Sequence, residues 1–158
     1  MKICEIVRQG IVFSLLFLCS IAAANEKDNC WYSAAIRYSV SPHILYAIAS
    51  KESSLNPSAV GKNANGTHDI GLMQINSVWL PELKKFGITK DMLFDSCTNI
   101  NVGAWILAQC IQKLGYNWNA IGAYHTGLGK SNRREERRNS YSNDVYRRLE
   151  RLQRGQKI

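Results

Sequence analysis

Ser41-Pro42-His43-Ile44-Leu45-Tyr46-Ala47-Ile48-Ala49-Ser50-Lys51-Glu52 is the stretch on which the reading of this chain turns. Ser41 followed by Pro42 marks a helix start, the serine capping free N–H groups and the proline occupying a position that needs no donor. The helix must stop before Pro57. Leu45, Ile48 and Ala49 define its inward face, and the next position on that stripe is Glu52. An acid there is opposed twice, because burial disfavours the charged form and the last turn presents the negative end of the helix dipole. Both effects raise the pKa, which a proton donor needs. From position alone, a frayed helix end with Glu52 turned into water fits equally well.

Outward from this helix the pattern stays helical with one interruption. Upstream, Trp31, Ala34, Ala35 and Tyr38 follow the spacing of a first amphipathic helix. Downstream, residues 58–76 are rich in Gly and Asn, with Asn65-Gly66 as a hairpin-turn signal. Helical spacing returns at Val78–Phe86, Asp91–Phe94, Thr98–Leu114 and Trp118–His125, and Gly87 and Gly115 stand where helix C-terminal caps belong. The predicted fold class is α+β, predominantly helical, with a small β-hairpin region.

Composition divides the 158 residues into three parts. Lys2 and Arg8, an 11-residue apolar run from Ile11 to Ile21, and Ala22-Ala23-Ala24 have the layout of a secretory signal peptide, residues 1–24, cleaved after Ala24. A membrane span needs about 20 apolar residues, so no stable span is expected, and the mature chain should be periplasmic. Residues 25–129 carry eight basic and seven acidic side chains, enough chain for one nearly neutral domain. Residues 130–158 carry ten basic and four acidic side chains, most of the formal +8. A nucleic-acid-binding domain carries its charge on the folded face that meets phosphate, so no nucleic-acid partner is expected. Tyr141, Val145, Leu149 and Leu152 form a narrow apolar stripe in this basic tail and predict a final helix packing on the domain. Arg133-Arg134-Glu135-Glu136-Arg137-Arg138 reads as too polar for a core, hence a solvated loop or docking surface.

Export changes how the cysteines are read. The mature chain holds Cys30, Cys97 and Cys110, an odd number in an oxidising compartment, so one bridge and one free thiol is the simplest count. Cys97 and Cys110 flank or occupy one helix and would lie about 20 Å apart along its axis, beyond disulfide reach. Cys110 falls on the apolar stripe with Leu107 and Leu114, where a thiol behaves as a small buried hydrophobe. Cys30 with Cys97 is therefore the favoured pair. His43, His68 and His125 are scattered, and no Cys-x-x-Cys or His-Glu-x-x-His spacing exists, so neither a metal site nor a cofactor is expected. Gly127-Leu128-Gly129-Lys130-Ser131 only superficially suggests a phosphate loop, because the first required Gly falls at Tyr124.

Gly71-Leu72-Met73-Gln74-Ile75-Asn76 has the composition of a groove lining for sugar or peptide. Gly71 permits close backbone approach, Met73 offers an apolar wall, and Gln74 and Asn76 can donate and accept hydrogen bonds. A strand edge followed by a helix cap has the same composition. The order Glu52-Ser53, then Gly71-Leu72-Met73-Gln74, then Ala123-Tyr124-His125-Thr126-Gly127 resembles the three motifs of the lytic transglycosylases with a lysozyme-like (SLT-type) domain. The segment from Asn65-Gly66 to Asn76, with Cys30 and Cys97, is most similar to small exported members associated with type III and type IV secretion systems.

That resemblance implies cleavage of the β-1,4 bond between N-acetylmuramic acid and N-acetylglucosamine in peptidoglycan, with formation of a 1,6-anhydro end. It implies Glu52 as catalytic acid and base, Tyr124 as the phenol that hydrogen-bonds and orients it, and Ser53, Met73, Gln74, Asn76 and His125 as substrate-binding residues. His125 stands where the family usually has Asn, and a pH dependence near neutrality is expected from it. Asp69 falls in the segment that forms the opposite lip of lysozyme-like clefts. It is expected to support catalysis, with a turn aspartate bonding nearby amides as the alternative. The partners implied are peptidoglycan strands and a secretion-system component docking on the basic tail, with the protein a monomer. A hydrolytic muramidase using Glu52 and Asp69, and a non-catalytic peptidoglycan-binding accessory protein, are the rival readings.

Overall fold

The structure, a computed structural model, describes residues 30–157. The expected signal peptide, residues 1–24, lies outside the described residues. Helix α1 (30–38) begins at Cys30, which is bridged to Cys97 with 5.3 Å between the Cα atoms. Ala34 and Ala35 of α1 are buried, as their spacing predicts, and Trp31 meets Tyr46 edge-on at 5.3 Å between ring centroids. Cys110 is free and buried. Helix α2 (Pro42–Ser53) buries Leu45, Ala47, Ile48 and Ala49 completely. The Ser41 side chain makes no capping bond; the backbone N–H of Ser41 instead donates to Tyr116 Oη at 3.0 Å.

Between α2 and the helical remainder lies a three-stranded antiparallel sheet, β1 (Val60–Lys62), β2 (His68–Ile70) and β3 (Ile75–Asn76), in that order. Asn65-Gly66 makes the predicted β1–β2 turn, closed by Asn63 and Thr67, with Gly66 at φ 82°. The register sets Gly61 opposite Asp69, and Asp69 opposite Asn76. The helix expected over Val78–Phe86 is divided into a 3-10 turn (Ser77–Trp79) and a short helix α3 (Leu80–Lys84). Pro81 stands in the first turn of α3, where its missing N–H is harmless, and so fixes where the α-helix begins. A second 3-10 turn (Asp91–Phe94) leads into α4 (Ser96–Leu114), whose N-cap Asp95 accepts from Thr98 N at 2.8 Å.

Helix α4 passes through the core, with Ile100, Ala104 and Leu107 buried, and ends at Gly115. Helix α5 (Trp118–Thr126) follows, capped by Asn117. The last and longest helix, α6 (Asn132–Gln153), packs against both α5 and α2, and buries Tyr141 and Val145 from the predicted stripe. One sequence expectation is corrected here. The Arg133–Arg138 run is helical rather than a loop, and Arg138 is 3% exposed.

Arg138 enters the core because every donor it brings finds an acceptor. Its guanidinium donates to Gly127 O (2.9 Å), Gly129 O (3.1 Å), Thr126 Oγ1 (3.3 Å), Asn119 Oδ1 (3.2 Å) and Glu135 Oε2 (3.2 Å). Gly122 of α5 lets the backbones meet there, since a Cβ at that position would lie 2.3 Å from Arg138 O. Removing a buried guanidinium that satisfies two loop carbonyls strands those acceptors, at a cost of about 3 kcal/mol. Arg138→Ala should therefore lower the unfolding free energy in urea by about that amount, while exposed Arg133→Ala should change it by no more than about 0.5 kcal/mol. Equal effects would show that Arg138 is not an anchor.

Candidate active site

Glu52 occupies the last turn of α2, and the helix does not fray there. Ser54 and Leu55 turn into the left-handed region, at φ 54° and 64°, so the chain reverses immediately after the helix. Ser53 Oγ clamps the reversal, donating to Leu72 O at 2.6 Å and accepting from Asn56 N at 3.0 Å. Glu52 is held where α6 crosses α2, and Tyr141 Oη donates to its Oε1 at 2.5 Å. Tyr141 is 5% exposed, so this phenol has little alternative partner. Burial pushes the Glu52 pKa up to about 7. The Tyr141 hydrogen bond opposes that rise, the Asp69 charge adds to it, and Lys51 slightly opposes it. The apolar-stripe reading of Glu52 thus holds, with burial as the dominant cause.

Asp69, on β2, acts on this acid through its charge. Both of its oxygens accept amide hydrogens, Oδ1 from Asn76 Nδ2 at 2.7 Å and Oδ2 from Asn63 Nδ2 at 2.8 Å. Asn76 is in turn fixed by Thr67 Oγ1 at 3.1 Å and by accepting from Val78 N at 3.0 Å. The strand that carries Asp69 is tied to α4 by Asn99, a fully buried residue that composition gave no reason to single out. Asn99 Nδ2 donates to Ile70 O (3.0 Å) and Leu93 O (2.7 Å), and Oδ1 accepts from Met73 N (2.7 Å). Gly71 must be glycine, because its φ is 75° and a Cβ would lie 2.3 Å from both Asn99 Nδ2 and Leu93 O.

Several expected binding residues turn out to be braces. Met73 is fully buried, so its side chain does not form an apolar groove wall; it packs on α4 at Gly103. Ser53 spends its hydroxyl on Leu72 and Asn56, as above. Gln74, at φ 50°, turns its amide nitrogen to Gly71 O (2.8 Å) and Ala59 O (3.2 Å). Tyr124 does not hydrogen-bond Glu52: its Oη donates to Met73 O at 2.8 Å, and the phenol on Glu52 is Tyr141. The physical reason is reach, since α5 presents Tyr124 to the turn after β2 while α6 lies across Glu52. Tyr141 was legible as a stripe residue, and only its phenol on an otherwise apolar face marked it out.

His125 does reach the site. Its ring lies parallel to Tyr141 at 2° and 4.9 Å between centroids. Burial, then Arg137 and Lys51, hold its pKa below the usual imidazole range, with Asp69 weakly opposing. His125 is therefore neutral at pH 7, and the pH dependence expected of it near neutrality moves lower. Glu52, Lys51, His125, Arg137, Ser140, Tyr141 and Asp144 line one open cavity of about 360 Å³. Among the described residues, no group of three or more His, Cys, Asp and Glu side chains is arranged to hold a metal ion.

The electrostatic balance on Glu52 is directly measurable. In a pH titration followed by the carboxyl carbon resonance, Glu52 should titrate near 7. Tyr141→Phe removes a donor to the carboxylate and should raise that midpoint, whereas Asp69→Asn removes a neighbouring negative charge and should lower it. A midpoint in the ordinary glutamate range would mean Glu52 is hydrated.

Comparison with known proteins supplies the family. Residues 29–146 match the transglycosylase SLT domain. Invasion protein IagB of Salmonella typhimurium is 41% identical over 119 residues, covering 75% of this chain and 73% of that one. Protein IpgF of Shigella flexneri is 37% identical over 141 residues, covering 89% and 91%. Among solved structures, the 70 kDa soluble lytic transglycosylase of Escherichia coli superimposes with a TM-score of 0.63 at 27% identity over 82% of this chain. An inactive mutant of the lytic transglycosylase Slt from Pseudomonas aeruginosa gives 0.61 at 22% identity over 77%, a likeness of fold. The chain spans only 25% and 23% of those two structures. With three quarters of its length inside the domain match, this chain belongs to the transglycosylase SLT family.

Proposed function

We propose that this protein is a peptidoglycan lytic transglycosylase, with Glu52 as its acid and base. The observation that carries the reading is a carboxyl group whose pKa burial raises to about 7, clamped by Tyr141, and opening on a cavity wall in a chain of this family. The protonated Glu52 gives its proton to the oxygen bridging N-acetylmuramic acid and N-acetylglucosamine as the C1–O bond breaks toward an oxocarbenium-like state. The glucosamine end leaves as an alcohol. Glu52, now a carboxylate, takes the proton of the muramic 6-hydroxyl, whose oxygen bonds to C1 and closes the 1,6-anhydro ring. The acid is regenerated and no water is consumed.

Asp69 fits a fixed anion that stabilises the developing cation and keeps the Glu52 proton in place. Its two amide partners hold it still, which suits this role better than positioning a mobile water, so the hydrolytic alternative is disfavoured. We place the protein in the periplasm after loss of residues 1–24, where it opens the wall for a secretion apparatus. Support comes from the likeness to the proteins named IagB and IpgF. The outward arginines of α6, such as Arg133 and Arg151, offer a basic face to a component of that apparatus. Among the described residues no helix is long and apolar enough to cross a membrane.

Digestion of purified sacculi with mass analysis of the released muropeptides tests the reaction. Products lighter by one water than reducing-end muropeptides are expected, and Glu52→Gln should lower their rate by at least about 100-fold. The rate should also fall as pH rises through about 7, because the reacting form is protonated Glu52. Reducing-end products would point to hydrolysis, and products insensitive to Glu52→Gln would remove this residue from the chemistry. Full turnover by a folded Asp69→Asn variant would end the supporting role of Asp69.

A further inference from the structure

The cavity beside Glu52 contains a cation that the protein itself leaves unpaired. Lys51 is neutralised by Asp144, with Nζ 2.8 Å from Oδ2, and Asp144 also takes Arg147. Arg138, one residue along α6 from Arg137, is buried and fully partnered. Among the described residues, the side chains of Arg137 and Ser140 form no hydrogen bond or ion pair, and no protein group bonds the ring nitrogens of His125. Three exposed groups that can each donate a hydrogen bond therefore line a single cavity of about 360 Å³ with no protein partner: a guanidinium, a hydroxyl and an imidazole. Their spacing along the chain explains the convergence. Arg137, Ser140 and Tyr141 recur at steps of three and four on one face of α6, and His125 is stacked on Tyr141.

We propose that Arg137, assisted by Ser140 and His125, forms a carboxylate subsite that reads an acidic group on the muramic residue. The proposal rests on the lytic transglycosylase reading and specifies what that same site recognises. A guanidinium presents a planar fork that matches a carboxylate in two parallel hydrogen bonds, which a lone lysine cannot do. The substrate supplies such a group at the right place. The glycosidic bond protonated by Glu52 starts at C1 of the muramic ring, and the same ring carries the lactyl ether, ending either in a free carboxylate or in a stem peptide with carboxylates of its own. An anion on that arm lies within one sugar ring and a short linker of the bond being broken. The cation that reads it has to face the cavity on which Glu52 opens, and Arg137 lines that cavity.

The test uses the full mature chain on three glycans: intact sacculi, sacculi stripped of stems by an amidase so that lactyl carboxylates are bare, and stripped glycan with those carboxylates converted to methylamides. Arg137 is exposed and makes no hydrogen bond or ion pair in the fold, so Arg137→Gln should fold normally. It should lose about tenfold to a hundredfold in kcat/KM on a carboxylate-bearing glycan, the range for charge-assisted pairs, and less than about twofold on the amidated one. Loss confined to intact sacculi assigns the anion to the stem peptide; loss on stripped glycan assigns it to the lactyl group. Arg137→Lys should recover only part of the loss. A calorimetric titration of Glu52→Gln protein with a muropeptide reads the same subsite without turnover, and adding Arg137→Gln should weaken that binding by a similar factor. Equal loss on all three glycans, or no loss in rate and affinity, overturns the subsite. Absence of Glu52-dependent cleavage by the parent, with Arg137-dependent binding retained, instead defeats the transglycosylase reading alone.

Discussion

The hydrogen bond from Tyr141 to Glu52 is the contact on which the architecture of the site depends, because it can form only if α6 lies across the end of α2. That placement is what buries the carboxyl. Desolvation raises the Glu52 pKa from 4.5 to about 7, so the folded state binds the proton more tightly than the unfolded chain does. The contribution to stability is therefore full below 4.5 and is lost as pH rises through 7. At neutral pH and above, the ionised acid costs the fold on the order of 2 to 3 kcal/mol, discounted for its partial exposure. Other contacts must offset this. The disulfide from Cys30 to Cys97, the Arg138 anchor and the fully buried faces of α2 and α4 do so at positions away from the chemistry.

The two lips of the cleft are each fastened by one buried polar residue. Asn99 on α4 ties the turn between β2 and β3, and through it Asp69, to the helical core. Arg138 on α6 ties the α5–α6 loop to the helix that carries Tyr141. In both cases a glycine opposite, Gly71 or Gly122, allows the close approach that a side chain would block. Asp69 cannot move without breaking its two amide hydrogen bonds, and Glu52 cannot move without breaking the bond from Tyr141.

Much of this was legible in the sequence where one face of one element decides the outcome. The α2 stripe placed Glu52, the Asn65-Gly66 turn placed the sheet, and helix length excluded a Cys97–Cys110 bridge. Reading failed where a long-range contact changed a residue's meaning. The Arg133–Arg138 run is polar in every local window, yet Arg138 is core because acceptors from residues 119–129 converge on it. Met73 and Gln74 have side chains suited to a groove, but a left-handed turn at Gln74 directs them into the brace behind it. Tyr124 and Tyr141 are both tyrosines on buried helix faces, and only the crossing of α6 over α2 decides which phenol meets the acid.

The charge distribution takes on a different sense once α6 is placed. Taken alone, residues 130–158 are a basic appendage to a nearly neutral domain. In the fold, the same helix supplies a neutral phenol to the acid, a buried guanidinium to the core, and an aspartate that pairs with Lys51. A positive charge close to Glu52 would lower its pKa and cost the enzyme its acid, so the pairing of Lys51 with Asp144 protects the proton. Arg137 bears on His125 but is not among the groups that shift Glu52. The helix therefore brings a cation within reach of substrate while leaving the acid under the control of burial, which is the arrangement a proton donor beside an anionic polymer requires.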